Sequence, residues 1–322
     1  MDLFTDLFGF FFQYIDGVAF LILAAAGLAI IFGMMGVINM AHGELMMIGA
    51  YVTAFSMYAG VPWPIAIVLA GLGAGVAGLI LERLIIRHFY KQLLSSLVVT
   101  WGLSMILSQL FLVIFGPTME SLPTPMSDTK ILIGGDVGLA LVGPQGFAAL
   151  TDESQRLPAG VESFGIYRLV MFVFAVLLVV GIWAVMKFTE FGGRARATMD
   201  NPTMANALGI RTSRIYAYTF GLGSALAGIA GGLFALTSAI TPFFGAAYTA
   251  KAFIVVVVGG GAGIVSGLVS SAAALGGVQA IFTNLFSVYI GFVGMIAAAF
   301  IILLLMPAGI SAYLENLKSR RK

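Results

Sequence analysis

Apolar runs of about 20 residues, separated by short clusters of Gly, Pro or charge, recur along nearly the whole chain. At 1.5 Å rise per residue, a run of that length crosses the hydrocarbon core of a bilayer as one helix. The pattern predicts spans over 15–35, from the Pro62-Trp63-Pro64 interface to about residue 81, and over 93–115, 166–188, 216–239 and 289–305. It also predicts a helical run over 43–59. Between the last two spans, 247–258 is a short apolar stretch broken by the glycines at 259–263, after which apolar sequence resumes over 264–282. The reading is all-α: one bundle of about eight to nine transmembrane helices with a short or broken helix near 247–263, forming a single domain over 1–322. The ten-residue alternation of a membrane β-barrel is missing.

Composition agrees. Hydrophobic residues make up 60% of the 322 positions and charged residues 9%, with mean hydropathy +1.06. That is far from a soluble domain. With no cysteine and two histidines, disulfides and thiolate metal sites are excluded and a metal centre finds few ligands. The first residues carry acids and no Lys or Arg, unlike a cleavable signal, so this aromatic lead-in is expected to be retained and to lie along the interface. Small residues recur at helical spacing in two spans: Gly71, Ala74, Gly75 and Gly78, and Gly221, Ala225, Gly228 and Gly232. Such spacing favours close helix packing. The letters from Gly73 to Gly78 also match a dinucleotide fingerprint, but no strand precedes them and the match carries no weight.

Charge placement sets the expected orientation. Glu82, Arg83, Arg87, His88 and Lys91 form a basic loop, and Arg194, Arg196, Arg211 and Arg214 crowd a second connection. Both are placed on the cytoplasmic side. The proline-rich segment 116–165 has more acids than bases and reads as an external insertion with two short strands, around 130–133 and 137–142. The basic tail from Lys318 to Lys322 is expected inside, which after an external Pro242 requires three further crossings; the N-terminus then lies outside. Within the second basic connection, 189–214, a short helix is predicted over 202–208, with Asn201 as N-cap, Pro202 as its first residue and Gly209 closing it. This is either an ordinary topology-setting loop or a docking helix for a cytoplasmic partner.

Polar residues inside apolar sequence are the candidate chemistry. Asn39, His42 and Glu44 fall together within 32–51. At membrane depth a charge costs roughly 2.5–3.5 kcal/mol on insertion scales, so such groups line protein or a water-filled path. They either cap and pack a helix junction or shape a translocation path. The methionines at 34, 35, 40, 46 and 47 read as adaptable packing. Lys251 is expected to snorkel to an interface, and Gln109, Gln279 and Asn284 to bridge helices by hydrogen bonds. No phosphate-binding loop, zinc-protease motif or nucleophile elbow is present, so the chain is not read as an enzyme. Its energy would come from an ion gradient, a downhill solute gradient or ATP hydrolysed by another polypeptide.

Three stretches taken together, 27–51 with its Ile-Asn-Met-Ala-His-Gly-Glu box, 194–215 and 255–277, resemble the integral-membrane permease subunits of ABC importers for branched-chain amino acids and for urea or short amides. Phe32, Met34, Met35 and Met40 make the box more similar to the urea branch; Pro202 departs mildly from the family pattern. The resemblance implies a bacterial inner-membrane protein paired with a related permease chain, two cytoplasmic ATPase subunits and a periplasmic substrate-binding protein. It implies no cofactor in this chain, ATP being used by the partner subunits. It also implies that Asp200, Asn201, Ala205, Asn206, Ala207, Leu208 and Gly209 form the contact with an ATPase, and that Asn39, His42 and Glu44 lie near the path. A branched-chain amino acid permease and a passive solute channel are the alternatives.

Overall fold

The computed structural model describes residues 3–90, 92–127, 129–134, 138–143, 162–260 and 263–313. Lys91, Pro144, Pro158 and the basic tail from Lys318 to Lys322 lie outside the described residues. Among the described residues there are eleven α-helices, one 3-10 turn and a three-stranded sheet. In order they are α1 (Leu3–Met35), α2 (His42–Tyr58), α3 (Trp63–Leu84), the 3-10 turn (Ile86–Phe89), α4 (Leu93–Phe115), β1 (Lys130–Gly134), β2 (Gly138–Val142), β3 (Glu162–Gly165), α5 (Tyr167–Phe188), α6 (Glu190–Asp200), α7 (Pro202–Ala207), α8 (Thr212–Ala235), α9 (Phe244–Gly259), α10 (Ile264–Leu285) and α11 (Val288–Leu305).

Seven helices are long and apolar enough to cross a membrane, α1, α3, α4, α5, α8, α10 and α11, and α9 is a shorter apolar helix. The short stretch expected near 247–258 is therefore a continuous helix of 16 residues that stops where Gly260 takes φ +77°. The aromatic lead-in does not lie apart: it is the first part of α1, whose 33 residues extend about 50 Å. Phe8 and Phe12 of α1 pack on Ile131 of β1 and Phe164 of β3. The sheet has order β2-β1-β3, both pairs antiparallel. β3 had no sequence signal beyond four residues.

The small residues of α3 and α8 face each other, and Gly232 of α8 also meets α2, where an added Cβ would lie 2.5 Å from Thr53 Oγ1. An added Cβ at Gly228 would lie 2.4 Å from the Ala74 Cβ and 2.5 Å from the Ala70 carbonyl oxygen, and one at Gly78 would lie 2.0 Å from Ser224 Oγ. These two helices pack backbone against backbone. α2 sits inside the bundle, with Leu45, Met46, Met47, Ala50 and Ala54 buried, and Met34 buried at the end of α1. α4 differs: it packs on α2 and the 3-10 turn, while Leu94, Val98, Trp101, Ile106 and Val113 are exposed.

The two ends of the bundle are chemically distinct. At one end lie the sheet, the start of α1 and the 116–124 segment, tied down by Tyr58 Oη donating to the Glu120 carbonyl (2.8 Å) and Thr124 Oγ1 donating to the Leu236 carbonyl (2.6 Å). At the other lie Arg83, Arg87, Lys187 and the arginines of 194–214. α10 runs between the ends: Gly33, near the end of α1, adjoins Ile264, whereas Gly277 adjoins Tyr14. Gly260 in turn touches Ala308 and Gly309 beyond α11. After Pro242 the chain therefore passes three times between the ends, as charge parity required.

Candidate translocation and coupling sites

α1 ends at Met35, Gly36 takes φ +63°, and α2 restarts at His42. The break is thus 36–41, and His42, Gly43 and Glu44 belong to the first turn of α2. Gly43 is needed for close approach: a Cβ there would lie 2.1 Å from the Gly245 carbonyl oxygen of α9. Asn39, His42 and Glu44 are all buried. They do not converge on one point. Asn39 Oδ1 accepts from the Ala41 N–H at 3.1 Å, a local cap on the turn. His42 Nε2 donates to the Ala24 carbonyl of α1 at 2.9 Å. Glu44 turns the other way, its Oε1 accepting from Ser104 Oγ (2.8 Å) and Ser108 Oγ (3.0 Å) of α4.

The seam between α2 and α4 is consequently polar at membrane depth. Thr100 Oγ1 accepts from the Met40 N–H at 3.0 Å and itself donates back to the Ser96 carbonyl at 2.8 Å. Further along, Tyr51 of α2 meets the rings of Phe111 and Phe115, at 4.9 and 5.0 Å between centroids. Along this part of the fold Asn39 Nδ2, His42 Nδ1, Glu44 Oε2 and Tyr51 Oη are buried and have no hydrogen-bond partner among the described residues. Burying such a group unpaired costs roughly 1–3 kcal/mol. Ser96, Thr100, Ser104 and Ser108 were not singled out in the sequence. Their four-residue spacing, which puts hydroxyls on one helix face, is the signal that could have found them.

Other polar residues sit differently from expectation. Lys251 is half-buried, its Nζ 4.7 Å from the Phe20 ring centroid and 5.4 Å from that of Phe292. Gln109 and Asn284 lie on exposed faces rather than between helices, while Gln279 lines a cavity with Gln13, Asp16 and Arg168.

At the basic end the expected short helix forms as α7. Asn201 Oδ1 accepts from the Met204 N–H at 3.0 Å, Pro202 is its first residue, and Gly209 closes it at φ +84°. The sequence did not reveal α6, whose N-cap Thr189 accepts from Gly192 N (3.1 Å) despite the Gly192-Gly193 pair. Ala205 is buried and anchors α7, and Asn206 Oδ1 accepts from both the N–H and Oγ1 of Thr212, fixing the entry to α8. Asp200, Asn201, Asn206, Ala207 and Gly209 are exposed, and Met204 and Leu208 present apolar side chains at 57% and 74% exposure. Beside this knob runs a groove of about 810 Å³ lined by Val76, Ile80, Arg83, Arg87, Arg214 and Tyr218, continued by one of about 510 Å³ with Arg194, Leu208 and Arg211. Under it Tyr90 Oη donates to Glu82. Burial, and then that bond, pushes the Tyr90 phenol above its usual range, so it remains a donor.

Comparison with known proteins bears on this arrangement. Residues 11–306 match the family described as branched-chain amino acid transport system, permease component. The chain belongs to that family. It is similar to the high-affinity branched-chain amino acid transport system permease protein LivH of Escherichia coli K12 and of Salmonella typhimurium, each 28% identical over 89% of this chain and 90% of theirs. It is also similar to BraD of Pseudomonas aeruginosa, a permease protein of the same description, at 25% identity over 89% of this chain and 90% of that protein. No solved structure matches. As a permease component the chain is a multi-pass transporter subunit and not an enzyme.

Proposed function

We propose that the chain is the membrane subunit through which a branched-chain amino acid passes in an ATP-binding-cassette importer of the bacterial inner membrane. It works there with a second permease chain, two cytoplasmic ATPase subunits that use ATP, and a periplasmic substrate-binding protein. The family match over 11–306 carries the reading. The relatives described above are all named for branched-chain amino acids, so that substrate class takes precedence over the urea suggested by Phe32, Met34, Met35 and Met40.

In this reading α7 is the coupling helix. A capped helix that exposes Met204 and Leu208 at the basic end, anchored through Ala205, has the form of a knob received by another protein. Nucleotide-driven motion of the ATPases then reaches α8 through the Asn206–Thr212 bonds, and α8 bears on α2 and α3 across glycine contacts that admit sliding. Glu44, with Ser104 and Ser108, borders the path.

The deciding experiment is uptake of labelled leucine and labelled urea at micromolar concentration by the source cells with and without this chain. Loss of leucine uptake alone is expected. Loss of urea uptake alone returns the urea reading, and uptake that persists after ATP depletion returns the passive channel.

A further inference from the structure

At the sheet end of the bundle, α1, α5 and α10 line an open cavity of about 370 Å³ that includes Gln13, Asp16, Arg168, Gln279 and Thr283. Its position follows from its neighbours. Phe12, beside Gln13, packs on the sheet, and Arg168 lies three residues past the end of β3. At its wall Gly17 and Gly276 let α1 and α10 approach closely, a Cβ added at Gly276 lying 2.9 Å from Val18 Cγ2. The volume falls in the range of small-molecule sites.

The polar groups here carry both signs. Arg168 Nη1 lies 3.3 Å from Asp16 Oδ2, with the Arg168 side chain half exposed. Asp16 Oδ1 and Gln13 Oε1 are buried and have no hydrogen-bond partner among the described residues. Neither oxygen meets the cavity as the side chains stand, and a turn of the Asp16 carboxylate and the Gln13 amide is what brings them to an ammonium with its three N–H donors. The guanidinium fork suits a carboxylate, which it can hold with two parallel bonds. A solute with both groups on one carbon replaces the long Asp16–Arg168 contact by two charge-assisted ones. A neutral amide carries neither charge and has to leave that contact in place.

We propose that this cavity is a binding station for a zwitterionic α-amino acid, the ammonium on Asp16 and Gln13 and the carboxylate on Arg168, at the outer entrance of the path. The site rests on the amino-acid reading given above and adds the residues that meet the substrate. Gln279 and Thr283 form the wall beside the bound amino acid.

The test uses the assembled transporter in proteoliposomes with its binding protein. Asp16→Asn and Arg168→Gln are expected to lower leucine uptake roughly tenfold or more while the ATPase subunits still co-purify. The exchange D16R/R168D separates the alternatives: it restores a mere structural ion pair but reverses the site for a fixed zwitterion. Restored uptake in the exchange overturns the proposal, as does unchanged uptake in both single variants. Because the chain has no cysteine, T283C supplies a second readout that needs no transport. Millimolar leucine is expected to slow its alkylation, and 4-methylvalerate and isoamylamine, which lack the ammonium and the carboxylate respectively, are expected not to. Equal protection by all three, or by none, overturns the site. If the wild-type chain supports no leucine uptake, the amino-acid reading itself falls, an outcome distinct from normal wild-type uptake with indifferent variants.

Discussion

A carboxylate placed between two helices is held by what faces it, and Glu44 is faced by two hydroxyls one turn apart. Removing both donors leaves a buried acceptor with both oxygens unpaired. S104A/S108A is therefore expected to lower the stability of the purified protein by roughly 1–3 kcal/mol per lost bond, read as a fall in Tm in detergent. In a Glu44→Ala background the same pair of substitutions should cost little, and equal costs in both backgrounds would show that the hydroxyls do not serve Glu44. Glycine positions make a sharper contrast. At Gly43 an added Cβ meets a carbonyl oxygen of α9 at 2.1 Å, so Gly43→Ala should abolish folded protein on size-exclusion chromatography. At Gly102 in α4 an added Cβ meets nothing within 4 Å, and alanine there should stabilise by about 0.5–1 kcal/mol, since glycine only weakens a helix interior. Much of this was legible in the residues. Acid, histidine and amide in apolar sequence announced a buried polar junction, but nothing local indicated that His42 turns to α1 while Glu44 turns to α4. Partner choice is a property of packing.

Among the elements, α7 was the most legible, because Asn-Pro before a short run and Gly after it are start and stop signals written in single residues. α6 was not, because two glycines lower helix propensity and only the Thr189 cap and contacts within the folded chain restore it. Asn201→Ala should remove the cap at a cost of about 1 kcal/mol, leaving transport slower but present. Ala205→Pro deletes the N–H that bonds the Asn201 carbonyl at 2.9 Å. It is expected to leave the chain inserted while ATP hydrolysis continues without uptake, measured together in proteoliposomes. Normal uptake in that variant would remove α7 from the coupling role.

For the whole molecule, the expectation is polarity: sheet outside, arginines inside. The absence of native cysteine makes this direct. An impermeant thiol reagent should label M126C in intact cells and L208C only after permeabilisation, and the reverse pattern would invert the topology. The bundle and its number of passes were legible because run length and charge parity are sums over many residues. The sheet's third strand was not, since four residues carry no periodicity and pairing with β1 decides them. Where α3 crosses α8, main chain lies on main chain, so the positions along that line admit only the smallest residues, while the sides of the same helices turned to lipid exchange Leu, Ile, Val and Phe freely. A saturation scan should therefore draw this protein as narrow stripes of intolerance every third or fourth residue on a permissive ground, its ancestry recorded in what is missing from those positions.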